Sequence, residues 1–277
     1  MNWWLLFFAI DLILGILIAV WLTRRVKDWT TARRKEVDEL LSDAQPIDKT
    51  FRQTDVTRLP PPVQRYLKKV VKEGTPYIST AHLKQSGKIR FNNRWINLSA
   101  NQYYTVEPTG FIWNAKMKLG PAWLTTRDCC QKGKGNMLIH VLSALPLFDV
   151  TGKEMDHASI LRYLSELPWL PTAFLHDSIR WEAVDDSSAK ATITDGGLSA
   201  SGVFHFNGND EITSFTSSGR FRSDTGKITP WSGTFSNYRE FGGILIPSEG
   251  SAIWNAPGED FEYVRLTIES VEYNKKA

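Results

Sequence analysis

Two periods of apolar residues divide this chain, and one helix-like stretch lies between two long runs of strand-like alternation. The stretch is Thr151–Leu175, TGKEMDHASILRYLSELPWLPTAFL, which opens with Thr151 and Glu154 at capping-box spacing and is stopped by Pro168. Met155, Ala158, Leu161, Leu164 and Leu167 fall on one apolar stripe, with Lys153, Arg162 and Glu166 elsewhere, so a helix is predicted over Gly152–Leu167. An apolar exit carrying Trp169, Leu170, Phe174 and Leu175 follows it.

On either side the period is two. Ala81, Leu83, Ile89 and Phe91 alternate with His82, Lys84, Lys88 and Arg90. Phe111, Trp113, Ala115, Met117 and Leu119 alternate with Asn114, Lys116 and Lys118. After the helix, Ile179, Trp181 and Ala183 share a face, as do Ala189, Ala191 and Ile193. Turn chemistry punctuates these runs at Asn92-Asn93, Gly120-Pro121, Gly196-Gly197, Asn207-Gly208, Thr225-Gly226, Gly242-Gly243 and Pro257-Gly258. The pattern predicts about eleven strands and a mainly β (α+β) fold. Its expected form is a curved antiparallel sheet or incomplete β-barrel, with the central helix as a lid. Residues 137–150, MLIHVLSALPLFDV, are apolar without alternation and broken by Pro146; they read as a buried core segment or as a flap over a cavity.

The N-terminal pattern is different again. Trp3–Leu22 is a near-continuous apolar run with tryptophans at both ends, long enough to cross a bilayer. It has no charged segment before it and no small-x-small cleavage site near residue 22, so it reads as a retained single-pass anchor. Asp11 lies in mid-span and shares a helical face with Gly15 and Ala19, which predicts close association with another helix or a second copy of the chain. The expected organisation is an anchor over 1–23, a charged juxtamembrane helix and linker over 24–56, and a β-rich domain over 57–277. Within the last, Pro62 opens a short helix whose Val63, Leu67, Val70 and Val71 form one apolar side. Arg24, Arg25, Lys27, Arg33, Arg34 and Lys35 follow the span, which by the positive-inside rule puts the domain on the cytoplasmic face of a bacterial inner membrane.

Charge and motifs mostly exclude. A net charge of +3 spread along 277 residues leaves no nucleic-acid footprint. Cys129 and Cys130 are adjacent and rule out a disulfide framework. The chain carries no G-x-S-x-G, P-loop, dinucleotide fingerprint, H-E-x-x-H or C-x-x-C. Its five histidines are scattered, so no catalytic residue, metal site or cofactor is expected. Asp156-His157 and His176-Asp177 are neighbours in sequence, which does not make them dyads in space.

LPPPVQRYLKKV with GTPYI, ILRYLSELPWLPTAFL with IRWEAVDDSSAKATITDGG, FNGNDEI, and FSNYREFGGILIPSEGSAIW together resemble a family of bacterial proteins of unknown function over roughly residues 57–273. More distantly, a meander, an apolar helix and a closing strand set ending in Y-R-x-x-G-x-x-I-P resemble LolA-like lipoprotein carriers. That likeness implies a curved open barrel with an apolar cavity for acyl chains and a periplasmic location, against the charge rule.

The reading that follows is a non-catalytic membrane-anchored domain that binds a lipid or other apolar ligand at the membrane surface. Its expected lining is Phe111, Trp113, Met117, Leu161, Leu164, Trp169, Phe174, Trp181, Phe204 and Phe206. The alternative is a tethered protein-interaction module with a solid core. A third reading, a lipid hydrolase, needs a histidine and a carboxylate converging on a nucleophile.

Overall fold

Both runs of alternation join one sheet. In the computed structural model, described over residues 3–91, 93–256 and 258–275, thirteen strands hydrogen-bond in a single antiparallel sheet. The first six are β1 (Thr80–Phe91), β2 (Arg94–Thr105), β3 (Gly110–Leu119), β4 (Ala122–Gln131), β5 (Lys134–Val141) and β6 (Leu145–Val150). The other seven are β7 (Ile179–Asp185), β8 (Ser188–Asp195), β9 (Leu198–Phe206), β10 (Ile212–Arg222), β11 (Lys227–Phe241), β12 (Ile244–Ala256) and β13 (Glu259–Tyr273). Each run is a simple meander, and pairing of β1 with β13 fuses the two, leaving β6 and β7 as the outer edges. Asn92 and Pro257, which belong to two of the expected turns, lie outside the described residues.

Eleven strands fall where alternation places them, and the two additional ones, β5 and β6, lie in and beside 137–150. Residues 137–150 are therefore a strand pair, with its turn at 142–144. Alternation is missing in this region because β4 and β5 are covered on both faces. A helix packs on the convex side and another on the concave side, so neither strand needs a polar face.

The concave helix is α3 (Lys153–Ser165), followed by two 3₁₀ turns at Leu167–Trp169 and Pro171–Leu175. It touches β4 and β5 on one side and β8, β9 and β10 on the other, filling the gap between the two meanders. The capping box does not form. The N-cap is Gly152, at φ 117°, with no side-chain cap, so the helix starts one residue later than the Thr151 cap predicts. Because the sheet surrounds it, Asp156, Ser159 and Ser165 are buried along with Ile160, Leu161 and Leu164, well beyond the expected stripe.

The short helix α2 (Pro61–Val70) buries Val63, Leu67, Val70 and Val71, as its spacing predicts. Ahead of it, Phe51 and Val56 are fully buried in the same core, so the stretch read as a polar linker packs with the domain. The N-terminal helix α1 is continuous over Trp3–Ser42, forty residues, with no break where the apolar run gives way to the charged one. Its last turns dock on the convex face. Val37 and Leu40 pack with Ile112 and Cys129, and Glu36 pairs with Arg127 at 3.1 Å. Its first half is apolar enough to cross a membrane by length and composition, and none of that window is buried against the rest of the chain. Asp11, Gly15 and Ala19 lie in this half, and nothing comes within 4 Å of a Cβ placed on Gly15.

Candidate functional site: an apolar cavity over a buried ion network

Between α3 and the β1, β3–β5 and β10–β13 walls lies a cavity of about 320 Å³. Small residues make the room. Gly233, Gly250 and Ala252 face it from β11 and β12, where other strands present large side chains. Aromatic and aliphatic residues supply the walls, among them Trp113, Met117, Leu124, Met137, Ile139, Trp231, Trp254 and Tyr263. Trp169 closes one side, fixed by its Nε1 donating to the Pro247 carbonyl at 3.1 Å and by edge-on packing against Phe235.

The expected lining residues divide across α3. Trp113, Met117 and Trp169 stand on the cavity wall. Leu161, Leu164, Phe174, Phe204 and Phe206 sit in the buried core, away from the cavity wall; Trp181 packs on that core from its edge, with Phe174 and Phe204 at ring distances of 5.1 and 5.5 Å. There the contacts are filled, and Phe204 packs further onto Phe215 at 4.8 Å. Phe111 lies behind the wall, its ring 5.0 Å from the Arg162 guanidinium. Period two identifies an inward-facing residue but not which part of the interior it meets.

Beneath the cavity runs a chain of buried polar groups that sequence spacing does not reveal. Trp113 Nε1 donates to Gln85 Oε1 at 2.8 Å, and Gln85 Nε2 donates to Gln102 Oε1 at 2.9 Å. Gln102 Nε2 and Tyr104 Oη both donate to Glu166 Oε2 at 2.8 Å. Arg162 Nε donates to Glu166 Oε1 at 2.8 Å and its Nη1 to Asp128 Oδ2 at 2.6 Å. The guanidinium is held between the Phe111 and Trp113 rings, 5.0 Å from each. Burial opposes the Arg162 charge, yet the Glu166 and Asp128 carboxylates outweigh it and raise its pKa. Burial, reinforced by Glu166, pushes the Tyr104 hydroxyl well up, so it acts as a neutral donor. The only hint in the sequence was the i, i+4 spacing of Arg162 and Glu166; Asp128 joins from another element.

A second arginine has no carboxylate. Arg220, 8% exposed, donates from Nε to the Ala158 carbonyl and from Nη1 to Tyr263 Oη, both at 3.3 Å. It lies against the Trp231 and Trp254 rings at 5.2 and 5.6 Å, with no acid paired to it among the described residues. It presents a cation to the mainly apolar cavity, whose wall also carries Arg90, Arg222 and Asp224 and the Arg162–Asp128–Glu166 network.

No histidine lines the cavity, and no cluster of three or more metal-ligating side chains occurs among the described residues. Asp156 instead ties α3 to β5, accepting from the Gly135 amide at 2.8 Å and from Lys134 at 3.0 Å. His176 Nδ1 bonds Ser178 Oγ at 2.8 Å, away from the cavity. The two cysteines are buried and free. Burial, only partly countered by Arg127, pushes the Cys129 thiol up to about 11 from its ordinary 9.0. At pH 8 the folded protein should therefore react with iodoacetamide at Cys129 on the order of 100-fold more slowly than the unfolded chain, as followed by adduct mass. Comparable rates would mean that α1 and β4 separate readily in the native state.

Residues 49–266 match a family described as a family of unknown function, DUF6544. The chain belongs to the DUF6544 family. No curated protein matches it in sequence. Among solved structures it is similar to a DUF1329 family protein from Desulfovibrio piger, at 10% identity and a TM-score of 0.42, covering 79% of this chain and 95% of that one. It is also similar to a putative outer membrane lipoprotein-sorting protein domain from Vibrio parahaemolyticus (8% identity, TM-score 0.40, 72% and 87% covered). A third is a LolA superfamily protein from Nitrosomonas europaea, at 9% identity and a TM-score of 0.33, with 77% and 92% covered.

Proposed function

We propose that this DUF6544 protein binds one lipid or similar apolar ligand in the cavity beside α3, with no chemical step, while the apolar half of α1 holds it at a membrane. The cavity carries the reading. At about 320 Å³ it has room for part of one acyl chain, and it is walled by tryptophans, methionines and aliphatic side chains instead of being filled by them. Each buried methylene contributes about 0.8 kcal/mol, so roughly ten would give useful affinity after the losses of association. The Arg220 guanidinium offers a polar or anionic group on the ligand a charge-assisted hydrogen bond that no protein carboxylate takes up. The positive residues after the span favour a cytoplasmic domain.

Native mass spectrometry on the chain from Thr23 onward, which keeps the docked part of α1, tests this. One co-purifying lipid per chain, released on denaturation and identified by extraction, is expected. A clean apo mass that persists after incubation with membrane lipids would reject the reading.

A further inference from the structure

Register alone says which end of the barrel α1 leads to. Its last turn packs Leu40 on Gly110, at the start of β3; Glu36 pairs with Arg127, and Arg127 lies opposite Asn114. Trp29 packs its ring against His140, tilted by 44° with centroids 4.2 Å apart, level with Thr125 and Lys116. From Gly110 to Lys116 the strand climbs ~20 Å, and from Leu40 to Trp29 the helix climbs ~16 Å. The helix thus runs up the sheet toward the β3–β4 turn at Gly120. The remaining ~13 Å of strand equals roughly nine helical residues beyond Trp29, so the apolar run ends near the level of that turn.

The same end carries the β1–β2, β5–β6, β10–β11 and β12–β13 turns, because antiparallel neighbours alternate and β1 pairs with β13. The cavity reaches this end, lined there by Phe91, Arg222 and Phe261. Outside α1, six large apolar residues are exposed among the described residues: Phe91, Leu145, Leu147, Phe148, Val184 and Ile228. Phe91, Leu145 and Ile228 lie at or beside the turns of this end, whereas Phe148, opposite Ile139 and level with Ala115, stands midway along the sheet. Exposed cations, Arg94, Lys118 and Lys227, stand at its turns, and Arg24, Arg25 and Lys27 follow the span on α1. The exposed acids facing them include Asp28, beside Lys27 on α1, Asp224, already held by Arg222 at 2.8 Å, and Asp260, which accepts from Asn255, fewer than the six cations.

We propose that the open end of the barrel rests on the bilayer that α1 enters, with Phe91, Leu145 and Ile228 in the head-group region and the surrounding cations on anionic phosphates, so that the cavity opens directly onto lipid. The inference rests on α1 being the membrane anchor and deepens the proposed function by giving its ligand a route. An apolar rim bounded by Lys and Arg is the composition of an interfacial surface. A continuous helix also leaves little freedom to turn that rim away.

The test uses the full chain reconstituted in phosphatidylethanolamine–phosphatidylglycerol vesicles. Leu145→Cys and Ile228→Cys are each labelled with bimane at pH 7, where the buried native thiols stay protonated, and Asn209→Cys in the β9–β10 turn is the opposite-end control. With doxyl-lipid quencher, about half of the emission at 145 and 228 should be lost, as for groups sunk a few ångströms into the interface, and little at 209. Flotation with the vesicles checks the anchor separately. Protein that floats with 145 and 228 as unquenched as 209 overturns the docking geometry and leaves anchoring intact. Protein that does not float overturns both. Native mass spectrometry of the soluble part judges ligand binding independently of either result.

Discussion

Arg162→Leu is expected to destabilise the domain by about 3–5 kcal/mol. The wild-type guanidinium neutralises two carboxylates that are almost fully enclosed: Asp128 is 5% exposed and Glu166 8%. It donates to Glu166 Oε1 at 2.8 Å and to Asp128 Oδ2 at 2.6 Å, and Asp128 Oδ1 has no partner among the described residues. Leucine would fill part of the space between Phe111 and Trp113 but leave two buried acids without a cation. Urea unfolding of the full chain in detergent, followed by tryptophan fluorescence, measures the loss. Adding Asp128→Asn and Glu166→Gln to Arg162→Leu should restore much of it, because neutral amides cost far less to bury. A single variant as stable as wild type would mean that water reaches the network and screens it.

Ala252→Phe should abolish stoichiometric lipid retention while leaving the fold intact. Ala252 faces the cavity between Gly250 and Trp254, on the wall where small residues leave space. A phenyl ring there takes the place of about four methylenes of a bound chain, worth roughly 3 kcal/mol, or on the order of 100-fold in affinity. The ring fills a void and displaces no packed side chain, so thermal stability should hold or rise. The comparison is the ratio of lipid-bound to apo mass, wild type against variant. Equal occupancy in the two would place any bound lipid outside this cavity, and the binding reading would lose the observation it stands on.

Much of the architecture was legible because it is local. Period two across 80–131 and 179–273 marks half-buried strands, and Gly, Asn and Pro pairs mark their turns, which together specify an antiparallel meander. The apolar run at the N-terminus and the Pro-to-Gly punctuation of α2 were equally visible. Legibility failed where both faces of an element are covered. β5 escaped because α1 lies outside and α3 inside this part of the sheet, so alternation has no meaning there, while the edge strand β6 leaves Leu145, Leu147 and Phe148 exposed and shows no alternation either. Arg162 and Glu166 fall off the apolar stripe, yet the sheet curls around that side of α3 as well.

The sequence by itself determined the periodicities, the turns, the membrane-length run and the absence of catalytic motifs. Each is a property of neighbours within a few residues, where propensity and pattern act directly. Only the tertiary structure decided that β1 pairs with β13, that Asp128 meets Arg162 from a different element, and that space remains beside Trp113, Met117 and Trp169 while Phe174 and Phe204 on the other side of α3 are tightly packed. A cavity is the volume left over after side chains from strands far apart in sequence have packed, and no local pattern carries that difference.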